Sequence, residues 1–176
     1  MSELAEFRKA KDEFFGKDHH SPLTAQQRQR FTGLAYYQEN PSLQFVLTID
    51  ELPESQREVI QMATSTGESQ PRLRWGTISF TVDGQSATLT VYRDEDGGEF
   101  FLPFADTTNG EETYGAGRYL DLLPLEHGRT LLDFNYAYSP YCAYNPLWSC
   151  PIPPAENRLK VPILAGEKTF PDAVDH

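Results

Sequence analysis

The sequence predicts a mainly β protein: an antiparallel, barrel-like or sandwich body with two short N-terminal helices and a C-terminal strap of prolines and aromatics. Three observations predict it. Apolar residues change near Leu43 from helical spacing to short β-branched runs. Asp83-Gly84 and Asp96-Gly97 separate such runs, and Asp-Gly in that position marks a tight turn between strands. The stretch 133–168, DFNYAYSPYCAYNPLWSCPIPPAENRLKVPILAGEK, is too aromatic for a solvated linker, because its rings would stand in water. It is expected to wrap the body as ordered, mostly extended chain.

The elements follow in order. Leu4, Phe7, Ala10 and Phe14 recur at helical spacing among charged residues and predict an amphipathic helix over 3–16, stopped by Gly16. Thr24 followed by Gln27 is a capping-box pattern and predicts a short helix over about 24–31. Strands are then expected in LQFVLTI, REVIQMAT, RLRWGTISFTV, ATLTVYRD, EFFLPF, RYLDL and TLLDFNY, with RLKVPIL closing the set. No long crossover helix separates them, so antiparallel pairing is the natural outcome, with the helices plugging one end or covering an edge strand. The 176 residues read as a single domain: a helical segment over 1–32, an antiparallel body over 43–134, and the strap with its closing strand over 135–170.

The charge narrows the partners. The chain carries a net charge of -11, with five lysines against ten arginines. Such a surface repels nucleic acid and anionic lipid, so neither is an expected partner. The balance suits a salt-rich cytoplasm, and equally a genome that favours Arg over Lys. No apolar run approaches the roughly 18 residues of a membrane helix. The start of the chain, MSELAEFRKAKDEFF, lacks the apolar core of a signal peptide, so a soluble, cytoplasmic protein is expected.

The string ETYGAGRYLDL, followed by LDFNYAYSPYCAYNPLWSCPIPPAENRLKVPILAGEK, resembles the signature of the domain-of-unknown-function 1684 family. FRKAKDEFF and DHHSPLTAQQRQRF are similar to that family's N-terminal half, so the resemblance covers almost the whole chain. It carries over no catalytic role. It marks ETYGAGRYLDL and the strap as the family's hallmark.

Candidate site residues concentrate there. In Tyr114-Gly115-Ala116-Gly117-Arg118, two bare glycines followed by a guanidinium suit a carboxylate or phosphate. The competing reading is a β-bulge, with Arg118 paired to a structural carboxylate such as Asp133 or Glu156. Strand alternation puts Asp133 and Asn135 on one face, with Leu132, Phe134 and Tyr136 on the other. Tyr138, Asn145, Glu156 and Asn157 would supply further polar edges from the strap, the last two after a rigid proline lead-in. Trp148 is expected to be a core residue.

Cys142 and Cys150 admit four readings: nucleophile, metal ligands with His19 and His20, disulfide, or buried thiols. His127 and His176 offer no convincing base, and inert, reduced thiols are the expectation. Asp18-His19-His20 reads as a surface or capping segment, with a general-base loop as the alternative. No cofactor and no metal are expected.

The leading functional reading is a small-molecule binding module for a polar or anionic ligand, lined by Tyr114, Arg118, Asn135, Tyr138, Asn145 and Glu156. Two others stand beside it. One is a cofactor-independent hydrolase or isomerase using Asp133 or Glu156 with Arg118. The other is a structural or interaction protein with no pocket. The sequence sets neither the ligand nor the oligomeric state.

Overall fold

A computed structural model describes residues 1–173. The chain is mainly β, its sheets are antiparallel, and both α-helices precede residue 32. Helix α1, Glu3–Lys17, starts where the Ser2 hydroxyl accepts the Ala5 N–H at 3.1 Å, with Glu3 and Glu6 in its first turn and Lys17 in its last, each on the side the helix dipole favours. Helix α2, Ala25–Arg30, has both halves of the expected capping box between Thr24 and Gln27.

Nine strands follow: β1 Gln44–Thr48, β2 Asp50–Glu51, β3 Val59–Ala63, β4 Ser69–Val82, β5 Gln85–Arg93, β6 Phe100–Phe104, β7 Arg118–Leu120, β8 Leu123–Pro124 and β9 Arg129–Asp133. They form a three-stranded sheet ordered β1-β9-β8, and a six-stranded sheet running β2-β4-β5-β6-β7 with β3 also on β4. Strand β4 is long enough to hold β3 and β2 in succession along one edge. Between those partners the ladder slips at Trp75. The next residue must be Gly76, because a Cβ there would stand 2.8 Å from the Asp50 carbonyl oxygen. The β4–β5 hairpin turns through Asp83 (φ 48°) and Gly84 (φ 80°), the left-handed pair that Asp-Gly accommodates.

The two sheets do not close into a barrel. One core draws on both, from Phe45 and Leu132 through Phe80, Leu89 and Phe104, and the strap completes it with Phe134, Val161 and Ile163. A smaller cluster joins Phe15 and Leu23 to Tyr144 and Phe170, so the helical segment rests on the strap. Among the described residues no helix is long and apolar enough to cross a membrane.

Three expectations are corrected. RLKVPIL forms no strand: Arg158 makes an isolated bridge to Ala105, and the chain bends at Lys160 and Val161. Pro162 lacks an N–H, and the neighbouring carbonyls are taken by a side chain described below. Strand β9 stops at Asp133, whose side chain accepts the Asn135 N–H at 3.0 Å and tips the chain into a 3-10 turn over Phe134–Tyr136. The alternation expected over 130–136 therefore breaks, and Phe134 and Asn135 are both buried. Trp148 is 39% exposed, not core. Its ring lies edge-on to Tyr141, and its indole N–H donates to the Pro22 carbonyl at 3.1 Å. Trp148→Ala is accordingly expected to cost about 1–2 kcal/mol, one hydrogen bond and partial burial, rather than the 3–5 kcal/mol of a core aromatic. Chemical denaturation of the two proteins measures the difference.

Candidate functional site

Arg118 lies wholly inside the protein. Its Nη1 donates to the Ala165 and Glu167 carbonyls at 2.5 and 3.1 Å, and its Nη2 to the Ile163 carbonyl at 2.9 Å. The partner carboxylate is Asp106, with Oδ2 3.5 Å from Nη2, and not Asp133 or Glu156. The same Asp106 oxygen accepts the Ile163 N–H at 2.6 Å. Burial pulls the guanidinium below its ordinary range, and Asp106 is the chief group opposing that. Gly166, at φ 81°, turns the chain between these acceptors, and the fork ties together the carbonyls on either side of that turn.

The glycines before it serve packing. Gly117 has φ 110°, and a Cβ there would meet the Phe104 carbonyl oxygen at 2.7 Å and Pro153 Cγ at 2.8 Å. Gly115 sits in the preceding turn, facing Gly110.

The remaining expected residues fall in separate networks. Asn135 exchanges two hydrogen bonds with the Asn40 backbone, at 2.7 and 3.0 Å. Asn145 donates to the Pro22 carbonyl at 2.5 Å. Glu156 accepts both Nη2 and Nε of Arg74 and the Tyr92 hydroxyl. Asn157 is wholly buried between β5 and β6, bonded to both backbone groups of Thr90 and to the Pro103 carbonyl. Tyr114 approaches Cys142 Sγ at 3.5 Å. The two cysteines form no disulfide and both are buried, and the Cys142 N–H points to Cys150 Sγ at 3.3 Å. The Cys142 side chain, then burial, pushes the Cys150 thiol far above its usual range, opposite to what a nucleophile needs. His176 lies outside the described residues.

Two expected residues, Asp133 and Tyr138, do share a concavity. It is a groove of about 730 Å³ between α1 and the β1-β9-β8 sheet, within the usual size of small-molecule sites. One wall is Phe7, Ala10 and Phe14, from the apolar stripe that marks the helix as amphipathic, with Lys11 beside them. Phe7 is 43% exposed, its ring 4.9 Å from Tyr136, and the residues α1 buries are Leu4 and Phe15. The facing wall is Leu123 of β8 and Leu131 of β9, with Tyr136, Tyr138 and Tyr141 from the strap.

The polar groups of the groove are unevenly matched. Glu3, Asp121 and Asp133 bring three carboxylates against the single cation of Lys11. Lys11 is neutralised by an ion pair to Glu167, itself buried and also accepting the Tyr144 hydroxyl. The ammonium stands 5.0 Å over the Tyr138 ring, within cation–π range. Asp121 accepts the Tyr138 hydroxyl at 3.0 Å. Burial first, and the Asp121 charge next, hold the Tyr138 phenol above its ordinary range, so it remains a neutral donor. Aromatic walls with surplus carboxylates are chemically suited to an apolar body bearing a positive end.

Sequence reading missed Lys11, Asp106, Asp121 and Glu167. Lys11 lies in a charged stretch of helix, and Asp106 and Glu167 find their partners only through long-range contacts of the strap. No local pattern signals them.

A model of the family described as "Protein of unknown function (DUF1684)" matches residues 29–168. An uncharacterized protein of Haloarcula marismortui, solved in solution by NMR, is similar over 94% of this chain and 92% of its own, at 38% identity and a TM-score of 0.70. Among curated proteins nothing matches.

Proposed function

The chain belongs to the DUF1684 family of proteins of unknown function, and from that premise we propose that it is a small-molecule binding module whose site is the groove beneath α1. The observation that carries the reading is the composition of that groove: aromatic and leucine walls around about 730 Å³, with three carboxylates against one already paired lysine. Asp133 and Tyr138 are the two sequence-expected residues that take part. The lining turns the ligand away from the anion suggested by Arg118 and toward an amphipathic amine. Its apolar body would lie between Phe7, Leu123 and Tyr136, and its ammonium would meet Asp121 or Asp133. Of the groups of the acid/base alternative only Asp133 lines the groove, while Arg118 and Glu156 are bound to Asp106 and Arg74 elsewhere, so nothing in their geometry favours catalysis.

The test is an NMR titration with three probes of one shape: 2-phenylethylammonium, 2-phenylethanol and phenylacetate. The expected result is saturable shifts at groove amides, strongest with the ammonium, intermediate with the alcohol and absent with the carboxylate. Leu123→Lys adds a cation at a residue already 56% exposed, so the fold tolerates it, and it is expected to weaken ammonium binding at least tenfold. Equal binding of phenylacetate, or ammonium shifts unchanged in Leu123→Lys, would reject the reading.

A further inference from the structure

At the end of α1 the chain brings three metal-ligating side chains together in one tripeptide. Asp18 terminates the helix through its backbone N–H, which donates to the Phe14 carbonyl at 3.0 Å, while its carboxylate Oδ1 accepts the His20 backbone N–H at 2.8 Å and so is held at the turn. The Asp18 carboxylate lies 3.8 Å from Nδ1 of His19 and 3.2 Å from Nδ1 of His20. One donor atom from each residue lies within 4.8 Å of the others. Bonds of about 2.0–2.1 Å in a tetrahedral zinc site place neighbouring donors roughly 3.4 Å apart. The observed spacings bracket that value before any side chain moves.

The surroundings favour a cation. The carbonyl end of a 15-residue helix carries partial negative charge, and the whole chain has a net charge of -11. Among the described residues, neither imidazole has a hydrogen-bond or ion-pair partner outside the tripeptide. Both are well exposed, at 85% and 75% of their side chains, which leaves room for water to complete the coordination.

We propose that Asp18, His19 and His20 form a surface binding site for a late first-row divalent cation, of which zinc is the type, separate from the groove. Two imidazole nitrogens and one carboxylate select such an ion over magnesium or calcium, which prefer all-oxygen ligands. The inference departs from the sequence reading, because spacing along the chain does not reveal that the three donors converge. In that reading Asp18-His19-His20 is a surface or capping segment with a general-base loop as the alternative, and His19 and His20 are metal ligands only together with the cysteines.

Calorimetric titration of the full chain tests it, with zinc chloride as the probe and calcium chloride as the contrast. The expected result is one zinc per chain and no calcium binding. The double variant His19→Ala/His20→Ala is expected to bind zinc at least tenfold more weakly, and Asp18→Asn several-fold more weakly. Circular dichroism of these exposed-site variants is expected to match the parent. Cys142→Ser/Cys150→Ser and His127→Ala should leave zinc binding unchanged. Parent-like zinc affinity in the double histidine variant overturns the assignment, as does loss of binding in the cysteine or His127 variants instead. Absence of saturable binding in the parent overturns it as well.

Discussion

Arg118→Ala is expected to cost about 3–5 kcal/mol of stability, the range for removing one partner of a buried ion pair. The reason lies in what the guanidinium leaves behind. Three carbonyls, of Ile163, Ala165 and Glu167, lose their donor in a region without solvent, and the Asp106 carboxylate loses its countercharge. Unpaired buried acceptors are costly because water cannot replace the lost bond. Arg118→Met separates this cause from simple loss of volume, since it keeps a long apolar side chain yet removes every donor and the guanidinium that stands 5.2 Å over the Phe104 ring. It should destabilise nearly as much as alanine. Arg118→Lys retains the charge but offers a point where the site needs a planar fork, and a loss of about 2 kcal/mol is expected. Urea denaturation of the four proteins decides it. A methionine variant within about 0.5 kcal/mol of the parent, as at an ordinary surface position, would show that the guanidinium does not hold the strap.

Asn157→Ala is expected to be the second large loss, about 3–4 kcal/mol. Strands β5 and β6 pair only at Tyr92 with Phe101 and at Arg93 with Phe100. Beyond that point they splay, and Pro103 has no N–H to offer. The Asn157 amide fills the gap as a spare peptide group would. Its Oδ1 accepts the Thr90 N–H at 2.8 Å, and its Nδ2 donates to the Thr90 and Pro103 carbonyls at 2.9 and 2.8 Å. Three buried backbone groups are orphaned in the alanine variant, each at about 1 kcal/mol or more. Asn157→Asp keeps the acceptor but sets a carboxylate against two carbonyls. That environment raises the folded-state pKa of the new acid. The variant is therefore expected to be more stable relative to the parent below the ordinary carboxylate pKa, and to lose that stability as pH rises through the raised one. A denaturation series from pH 4 to pH 7 with no such trend would contradict the assigned role of Asn157.

Local chemistry in the sequence determined the helix starts, the Asp-Gly turns, the change to antiparallel strands and the packing of the strap. Each of these rests on neighbours within a few residues: Thr24 with Gln27, Asp83 with Gly84, rings that cannot stand in water. Pairings of distant groups were decided only by the tertiary structure. Arg118 is recognisable as special from its glycines, but its partner could be named only after the loop at Asp106 and the chain at 163–167 met around it. The helix stripe of Phe7, Ala10 and Phe14 is legible as apolar, yet its spacing does not say whether it faces a core or a groove. That choice depends on where the strap holds α1, through Phe15 against Tyr144 and Lys11 against Glu167. Periodicity specifies which side of an element is apolar, and long-range packing specifies what lies opposite. The candidate site is a product of the second, which is why the strap's own polar residues, read as a site from sequence, serve mainly as its fastenings.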